Sequence, residues 1–186
     1  MSDMLARAAD IQAQLGDRLS GLALVRGREL HARASTADMP AVAGLLRRLG
    51  ADLVLMAGDD RRDDAGCFQV HYLFDHKQDD WYAHLTTDVA PGSPCLVSLA
   101  QQSYPASRFE REIRDLFGIT PVGHPDPRPL VRHGFWPEDY FPLRRDTLQR
   151  SFEDDGRPFP FGQVEGPGVY EIPVGPVHAG IIEPGH

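Results

Sequence analysis

The sequence predicts an α+β fold, in which helices pack on one face of a two-layer mixed β-sheet and an extended proline-rich tail follows. Three observations support this prediction. Apolar residues recur at helical spacing in three segments, and short apolar runs typical of strands lie between those segments. Twelve of the sixteen prolines fall between Pro121 and Pro184, where regular helix and central strand are therefore excluded.

The first half of the chain is predicted to contain two helices and a hairpin. Residues 4–19 form the first helix, whose apolar positions are Met4, Ala8, Ile11, Leu15 and Leu19. Residues 21–35 are predicted as two short strands that turn at Arg26-Gly27. Residues 36–49 form the second helix, and Gly50 follows as its C-terminal stop.

A short apolar strand at residues 51–58 comes next, and three further strands are predicted at residues 67–75, 81–89 and 95–100. The charged run at residues 59–66 ("DDRRDDAG") is predicted to be a solvated loop. The order helix, two strands, helix and at least three strands is assigned to a domain that covers residues 1–120.

A third helix is dense in charge. Ser107 is predicted as its N-cap and Glu110 as the partner in a capping box. Its charged residues are expected to pair at i, i+4, Glu110 with Arg114 and Arg111 with Asp115. Gly118 ends the helix, and its apolar face consists of Phe109, Ile113, Leu116 and Phe117.

The segment after Gly118 combines proline with aromatic residues. Its aromatic residues are too many for a solvated linker: Phe135, Trp136, Tyr140, Phe141, Phe152, Phe159, Phe161 and Tyr170. Such a segment is expected to lie extended along another surface and to insert its rings there. We assign residues 121–150 to a strap and residues 151–186 to an extended tail. The chain beyond about Asp146 is expected to lack internal hydrogen-bonded structure and to be its least protected part.

Composition excludes several classes of function. The chain has 186 residues, with 41% hydrophobic and 25% charged residues, and no stretch approaches the roughly 20 apolar residues that span a bilayer. The net charge of −8 argues against nucleic acid as the main partner. Cys67 and Cys95 sit in apolar runs and are expected to be core thiols. Without GxGxxG, P-loop or CxxC motifs, no flavin, dinucleotide or cluster site is predicted.

The stretch "EREIRDLFGITPVGHPDPRPL" resembles the signature of the 30 kDa subunit of the proton-pumping NADH:quinone oxidoreductases (respiratory complex I). The segment at residues 136–146, "WPEDYFPLRRD", resembles the family's strap, with Arg145 where lysine is usual. The residues that fill the signature are Glu110, Arg111, Glu112, Asp115, Leu116, Phe117, His124, Arg128 and Leu130.

This resemblance implies an architectural role rather than catalysis by the chain itself. The 30 kDa subunit of the family packs on the large (49 kDa-type) subunit in the peripheral arm, beside iron–sulfur subunits. The cofactors implied for those partners are iron–sulfur clusters, with FMN, NADH and quinone or a NiFe centre. The implied location is the cytoplasmic face of the cell membrane, with membrane contact only through partners.

The last residues, "EGPGVYEIPVGPVHAGIIEPGH", resemble the opening of the large subunit of group 4 membrane-bound [NiFe] hydrogenases, including formate hydrogenlyase. The alternative function is therefore an N-terminal domain of such a subunit. His178, Glu183 and His186 would then approach the active site. The nickel-binding cysteine pairs would lie downstream, so the chain is expected to be truncated at His186.

A metal-dependent hydrolase is a more distant alternative, because His124, Asp126 and His133 lie within ten residues. Prolines flank Asp126, however, whereas good metal sites sit on rigid helices or strands. The strand histidines are expected to be surface or satisfied core residues; they are His31, His71, His76 and His84.

The charged residues of the third helix are expected to hold the strap as it returns. Arg111 and Glu112 would make this contact, with Arg111 partly buried against Asp126 or backbone carbonyls, and Arg114 would be exposed.

Overall fold

The computed structural model describes residues 2–148, 150–153, 155–156, 164–170, 174–178 and 181–184. The elements in chain order are α1 (Ser2–Leu15), a 3₁₀ turn (Gly16–Arg18), β1 (Ser20–Val25), β2 (Glu29–Arg33), α2 (Met39–Arg48), β3 (Asp52–Arg61), α3 (Arg62–Ala65), β4 (Cys67–His76), β5 (Trp81–Val89), β6 (Cys95–Val97), α4 (Tyr104–Phe117), β7 (Thr120–Val122), β8 (Val174–His178) and β9 (Ile181–Pro184).

Five of the strands form one mixed sheet in the order β1-β2-β5-β4-β3. β1 and β2 make the predicted hairpin, and both Arg26 and Gly27 have positive φ in its turn. β2 pairs with β5 in parallel, whereas β5 with β4 and β4 with β3 are antiparallel. The predicted mixed sheet is confirmed.

The core lies between this sheet and the helices. Alternate residues of β4 are buried beneath the helices, and Phe68, Val70, Tyr72 and Phe74 supply its bulk together with Trp81 of β5. Apolar residues of α1, α2 and α4 belong to the same buried cluster. The helices therefore share one face of the sheet, as predicted, and the intervening strand residues point to the opposite face.

The charged run at residues 59–66 is not the predicted solvated loop. β3 continues through Arg61, which pairs with Cys67, and α3 forms the short connection. Asp60 is only 3% exposed, because it points to the helix side of the sheet. No local pattern indicates this burial, since Asp60 is surrounded by charged residues.

The prediction of core thiols is wrong as well. Cys95 is exposed on β6, and Cys67 is partly exposed on the helix-free face of β4. β6 pairs in parallel with β7 to form a small separate sheet, so the apolar run around Cys95 has a solvent-facing side. Strand alternation decides which face a cysteine occupies, and the local apolar content does not.

Helix α4 begins earlier than predicted. Ser103 is its N-cap, Pro105 lies in the first turn, and Ser107 is buried inside the helix, so the proposed capping box does not form. Gly118 ends the helix as predicted, with φ of +71°. Among the described residues, no helix is long and apolar enough to cross a bilayer.

The tail contains regular structure that the sequence analysis did not foresee. β8 and β9 pair as an antiparallel hairpin, with an irregular register between Val174 and Val177. Pro176 lies inside that irregularity, which is where a residue without an N–H is tolerated in a strand. The expectation of a tail without internal hydrogen bonds is therefore wrong for this hairpin.

Candidate docking site between helix α4 and the strap

One carboxylate of α4 holds the strap by its backbone. Asp115 Oδ2 accepts three successive N–H groups, from Leu130 at 2.6 Å, Val131 at 2.9 Å and Arg132 at 3.2 Å. Asp115 is 2% exposed, so its negative charge is buried and is met by these backbone donors. This contact fixes the direction of the chain as it leaves Pro129.

Arg111 binds the strap immediately before that point. Its Nε donates to Arg128 O at 2.9 Å, Nη2 to Pro129 O at 2.8 Å and Nη1 to Asp126 Oδ2 at 2.9 Å. The side chain is only 8% exposed. The structure thus shows the buried, strap-binding guanidinium that the sequence analysis expected of Arg111.

Arg114 is not the exposed residue that was expected. Its Nη1 donates to Pro127 O at 2.7 Å and its Nη2 to Arg128 O at 2.8 Å, and the side chain is 23% exposed. The predicted pairs of Glu110 with Arg114 and of Arg111 with Asp115 are also absent from the ion pairs of the described chain. Arg111, Arg114 and Asp115 bind backbone groups of the strap, and Arg114 also pairs with its neighbour Asp115 at 3.1 Å.

Glu110 is fully buried between α4 and the loop that precedes it. It accepts hydrogen bonds from Ser98 Oγ at 2.5 Å and from Leu99 N at 2.6 Å. Burial raises the pKa of this carboxyl above its ordinary value, while these two donors oppose the rise. Glu110 therefore anchors the Ser98-Leu99 loop against the helix, in place of the expected cap.

His124 and Asp126 shape the turn of the strap. His124 Nε2 lies 3.0 Å from Ser107 O and must donate to it, and Nδ1 accepts the N–H of Asp126 at 2.9 Å. These two bonds define a neutral imidazole with the proton on Nε2. The Arg128 guanidinium, with the backbone N–H of Arg128 and the charge of Arg111 as further causes, holds the pKa of the Asp126 carboxyl well below its usual range.

The far end of the strap returns to α4 and to β3. Leu143 N donates to Leu116 O at 3.1 Å and Arg144 Nε donates to Phe117 O at 2.7 Å. The last carbonyls of a helix have no partner inside the helix, so the strap caps α4 here.

The same end of the strap carries an ionic contact that we call the clasp, made of Asp60, Arg62 and Asp146. Asp60 Oδ2 accepts Arg145 N at 2.9 Å, and Arg62 bridges to Asp60 at 2.7 Å and to Asp146 at 2.6 Å. The Arg62 guanidinium is the main reason that the pKa of Asp60 lies well below its usual range. Sequence reasoning missed the clasp because its two halves are more than 80 positions apart.

Gly118 permits this approach of the strap. Its φ of +71° favours glycine, and an added Cβ would lie 2.5 Å from Arg144 Nη2 and 2.7 Å from Phe141 Cζ. The backbone of the helix end and the strap are therefore in direct contact.

Two aromatic residues of the strap form a cluster with Phe152, which opens the tail. The ring centroids of Tyr140 and Phe152 lie 4.7 Å apart in an edge-to-face contact. The ring centroid of Trp136 lies 5.6 Å from that of Tyr140 and 6.2 Å from that of Phe152. All three residues are partly exposed. These rings contact one another, so the strap folds against the start of the tail in this region.

The remaining predicted site residues do not gather at one reactive centre. Glu112 is exposed and has no hydrogen-bond or ion-pair partner within the described part of the chain, so it does not hold the strap as expected. Phe117 packs on the backbone of Gly58, and Leu116 and Leu130 are partly buried.

Two of the predicted tail residues, His178 and Glu183, lie in β8 and β9, and His186 lies outside the described residues. Within the described ranges, no group of three or more His, Cys, Asp or Glu side chains is arranged to hold a metal ion.

A family model described as the respiratory-chain NADH dehydrogenase, 30 Kd subunit, matches residues 32–153. The chain belongs to this family. The match includes α4, the strap and both of its attachments, and the resemblance proposed from the sequence is confirmed.

Two relatives from Escherichia coli (strain K12) are similar to this 30 kDa-type chain. Formate hydrogenlyase subunit 5 is 32% identical over 155 residues, which cover 76% of this chain and 26% of the relative. Hydrogenase-4 component G is 34% identical over 139 residues, which cover 72% of this chain and 25% of the relative. The chain thus spans about a quarter of the length of these relatives.

Two solved structures share the fold. The trypsin-resistant fragment (1–134) of Nqo5 superposes with a TM-score of 0.54 at 20% identity, covering 67% of this chain and 97% of the fragment. A chain of the membrane-bound sulfane sulfur reductase, an archaeal respiratory membrane complex, gives a TM-score of 0.65 at 14% identity, covering 83% of this chain and 98% of that one.

Proposed function

We propose that this chain is an architectural domain of a complex-I-like redox complex and that it docks to the large subunit through α4 and the strap. The observation that carries this proposal is that the buried charged side chains of α4 and β3 bind the strap. Asp115 and Arg111 bind the backbone of the strap, and Asp60 joins β3 to the end of the strap. These bonds attach the strap to α4 and β3, and they already engage the groups that acid–base chemistry would use.

The outer side of α4 and the middle of the strap form the proposed docking surface. Tyr104, Arg108 and Glu112 recur every fourth residue on α4 and are exposed. Arg108 Nη2 donates to Tyr104 Oη at 2.8 Å, which leaves Glu112 at the end of the row available to a partner. Tyrosine, tryptophan and arginine are enriched in protein interfaces, and Tyr104, Arg108 and Trp136 supply these residue types here.

The proposed partners are a large (49 kDa-type) redox subunit and iron–sulfur subunits. Those partners, rather than this chain, would hold the iron–sulfur clusters, together with FMN, NADH and quinone or a NiFe centre. Contact with the cytoplasmic face of the membrane would then pass through them. The similarity to a chain of a membrane-bound respiratory complex supports this placement.

A second candidate function is a domain of a membrane-bound [NiFe] hydrogenase large subunit. The observation that favours it is that both curated relatives are hydrogenase components about four times as long as the matched segment. His178, Glu183 and His186 would then lead towards the metal centre. Nickel in the complex isolated with this chain as bait would support this candidate, whereas FMN and NADH oxidation would support a complex-I-type assembly.

A stand-alone metal hydrolase is disfavoured by the bonds of its would-be ligands. Both ring nitrogens of His124 are engaged with backbone groups, and Asp126 is held by Arg111 and Arg128. Metal analysis of the purified chain is expected to find no stoichiometric zinc or manganese. The same sample is expected to lack a flavin or cluster absorbance band, and stoichiometric absorbance of either kind would contradict the architectural role.

Co-purification of the complex with the tagged chain tests the docking proposal. Trp136→Ala and Glu112→Ala are expected to lower the yield of the large subunit. Glu112→Ala should leave the free energy of unfolding of the chain nearly unchanged, because Glu112 is exposed. Asp10→Ala, an exposed acid on α1, is the matched control and is expected to retain the complex. Unchanged yields in both docking variants would show that the partner binds elsewhere.

A further inference from the structure

Three histidines lie next to one another on the face of the sheet that the helices leave open. His31 of β2 is paired in register with His84 of β5, and His71 of β4 is paired with Thr86, two positions along β5 from His84. Strand alternation turns all three side chains away from the core. They line a depression of about 280 Å³ whose apolar walls include Leu55 and Leu73.

The rings are in direct contact. His71 Nδ1 lies 3.0 Å from His84 Nε2, and the two rings are stacked with centroids 5.2 Å apart. His31 meets His84 edge-on, with centroids 5.1 Å apart. A separation of 3.0 Å between two ring nitrogens is a hydrogen bond, and it holds one proton in the gap.

Carboxylates lie at both ends of this row. Glu29 Oε2 is 3.4 Å from His31 Nε2, and Asp59 Oδ2 is 3.8 Å from His71 Nε2. The hydroxyl of Tyr82 is the main reason that the pKa of Glu29 lies below its ordinary value, so the carboxylate stays ionised beside His31.

The other charged or titratable groups on this face come from all the neighbouring strands. They are Arg33 on β2, Tyr82 and Asp88 on β5, Cys67 and Asp75 on β4, and Arg61 on β3, whereas β1 contributes Ala23 and Val25. The guanidiniums are paired with carboxylates, Arg33 with Asp88, Arg61 with Asp64, and Arg26 of the hairpin turn with Glu29 at 3.5 Å. Histidine is the side-chain type whose charge changes most readily near neutral pH, so the imidazoles are the candidates for proton uptake on this face.

We propose that His31, His71 and His84 act as one proton-sensitive cluster that weakens the open face of the sheet when the pH falls. The first proton taken up by the His71–His84 pair can bind a ring nitrogen outside the gap, where it leaves the hydrogen bond intact. A second proton places N–H against N–H across 3.0 Å and breaks that bond. The pair then titrates in two steps that belong to the pair and not to either ring.

The sign of the pH effect follows from the environment of His84. Partial burial of its ring, together with the charges of His71 and His31, lowers the pKa of His84 below its ordinary value. When folding lowers the pKa of a histidine, the neutral ring fits the folded chain better than the charged ring. The folded state is then most stable above the pKa of histidine in the unfolded chain, about 6.5, and it loses stability as the pH falls below that value. The folded chain is therefore expected to lose stability on mild acidification.

Nuclear magnetic resonance titration of the histidine ring protons in the whole chain tests this directly, with signals assigned from His31→Gln, His71→Gln and His84→Gln. Two separate steps are expected for His71 and His84. Removing His71 should raise the titration midpoint of His84, and His133→Gln, in the strap, should leave it where it was. A midpoint for His84 at the value of a free histidine, unaffected by His71→Gln, would overturn the proposal.

Thermal unfolding between about pH 7.5 and about pH 5, a range that spans the titration of histidine, provides a second measurement. The melting temperature of the parent chain is expected to fall over this range, and the fall should be smaller in His84→Gln. Equal falls in both would also overturn the proposal. The cluster and the strap lie on opposite faces of the sheet, so the result does not depend on the docking role of the strap.

Discussion

Arg111→Ala is the substitution that most directly measures the attachment of the strap. It removes three hydrogen bonds and leaves Pro129 O without its donor, while Arg128 O keeps the hydrogen bond from Arg114 and Asp126 keeps its bonds to Arg128. Breaking a buried ion pair from one side costs about 3–5 kcal/mol, and the remaining Arg128 contact places this case near the lower end. We expect a loss of about 3 kcal/mol in the free energy of unfolding. Arg111→Lys should recover only part of it, because an ammonium group cannot bind the three acceptors together.

Denaturant unfolding followed by tryptophan fluorescence is a suitable assay, because Trp136 reports on the strap and Trp81 on the core. Glu112→Ala is the matched control on the same helix and should change the stability by less than about 0.5 kcal/mol. Arg114→Ala should fall between the two, since it loses two carbonyl contacts at a more exposed position. Equal, small losses for Arg111→Ala and Glu112→Ala would refute the inference that buried charge holds the strap.

Three further predictions concern the same region. Asp60→Asn should lower the free energy of unfolding by about 2 kcal/mol because it breaks the clasp, whereas Asp59→Asn should change it little. Folding lowers the pKa of Asp60, so the stabilisation by its carboxylate is present above about pH 4. The difference in urea stability between the parent chain and Asp60→Asn should therefore shrink below that pH. Gly118→Ala should cost more than about 1 kcal/mol and should speed protease cleavage at Arg144, because a Cβ would displace the strap; cleavage at the parental rate would contradict this. If the proposed boundaries are right, limited proteolysis of the parent chain should leave a core ending between residues 146 and 161, and early cleavage within residues 22–99 would contradict them.

The sequence alone was sufficient for the elements with a strong local pattern. The two amphipathic helices, the hairpin at Arg26-Gly27 and the stop at Gly118 depend on residue spacing and on the freedom of glycine, both of which are local properties. The mixed sheet follows from those elements because short connections restrict how strands pair. The family signature contains Arg111 and Asp115. The contacts of Arg111 with the strap match the prediction, whereas the binding of three successive N–H groups by Asp115 was not predicted.

The predictions that failed are those in which a distant segment supplies the partner. Ser107 and Glu110 satisfy the spacing of a capping box, yet Glu110 binds the loop at Leu99, and the helix begins one turn earlier. Asp60 and Arg62 lie in a charged run that is typical of a solvated loop, yet in the structure both bind the end of the strap, at Arg145 and Asp146. Local spacing predicts which contacts are possible, and tertiary structure decides which of the possible contacts form.

The composition of the strap accounts for the charge of helix α4. Prolines at 125, 127 and 129 lack an N–H, so this part of the strap offers carbonyl groups but few donors. Arg111 and Arg114 supply donors to four backbone carbonyl contacts there, and a guanidinium reaches several carbonyls at once where an ammonium would reach one. Where proline ends and N–H groups resume, at residues 130–132, the helix presents the carboxylate of Asp115 instead. The alternation of base and acid along α4 therefore matches the alternation of acceptors and donors along the strap, and exchanging Arg111 or Asp115 for a residue of the opposite charge should release the strap even though the helix itself would remain intact.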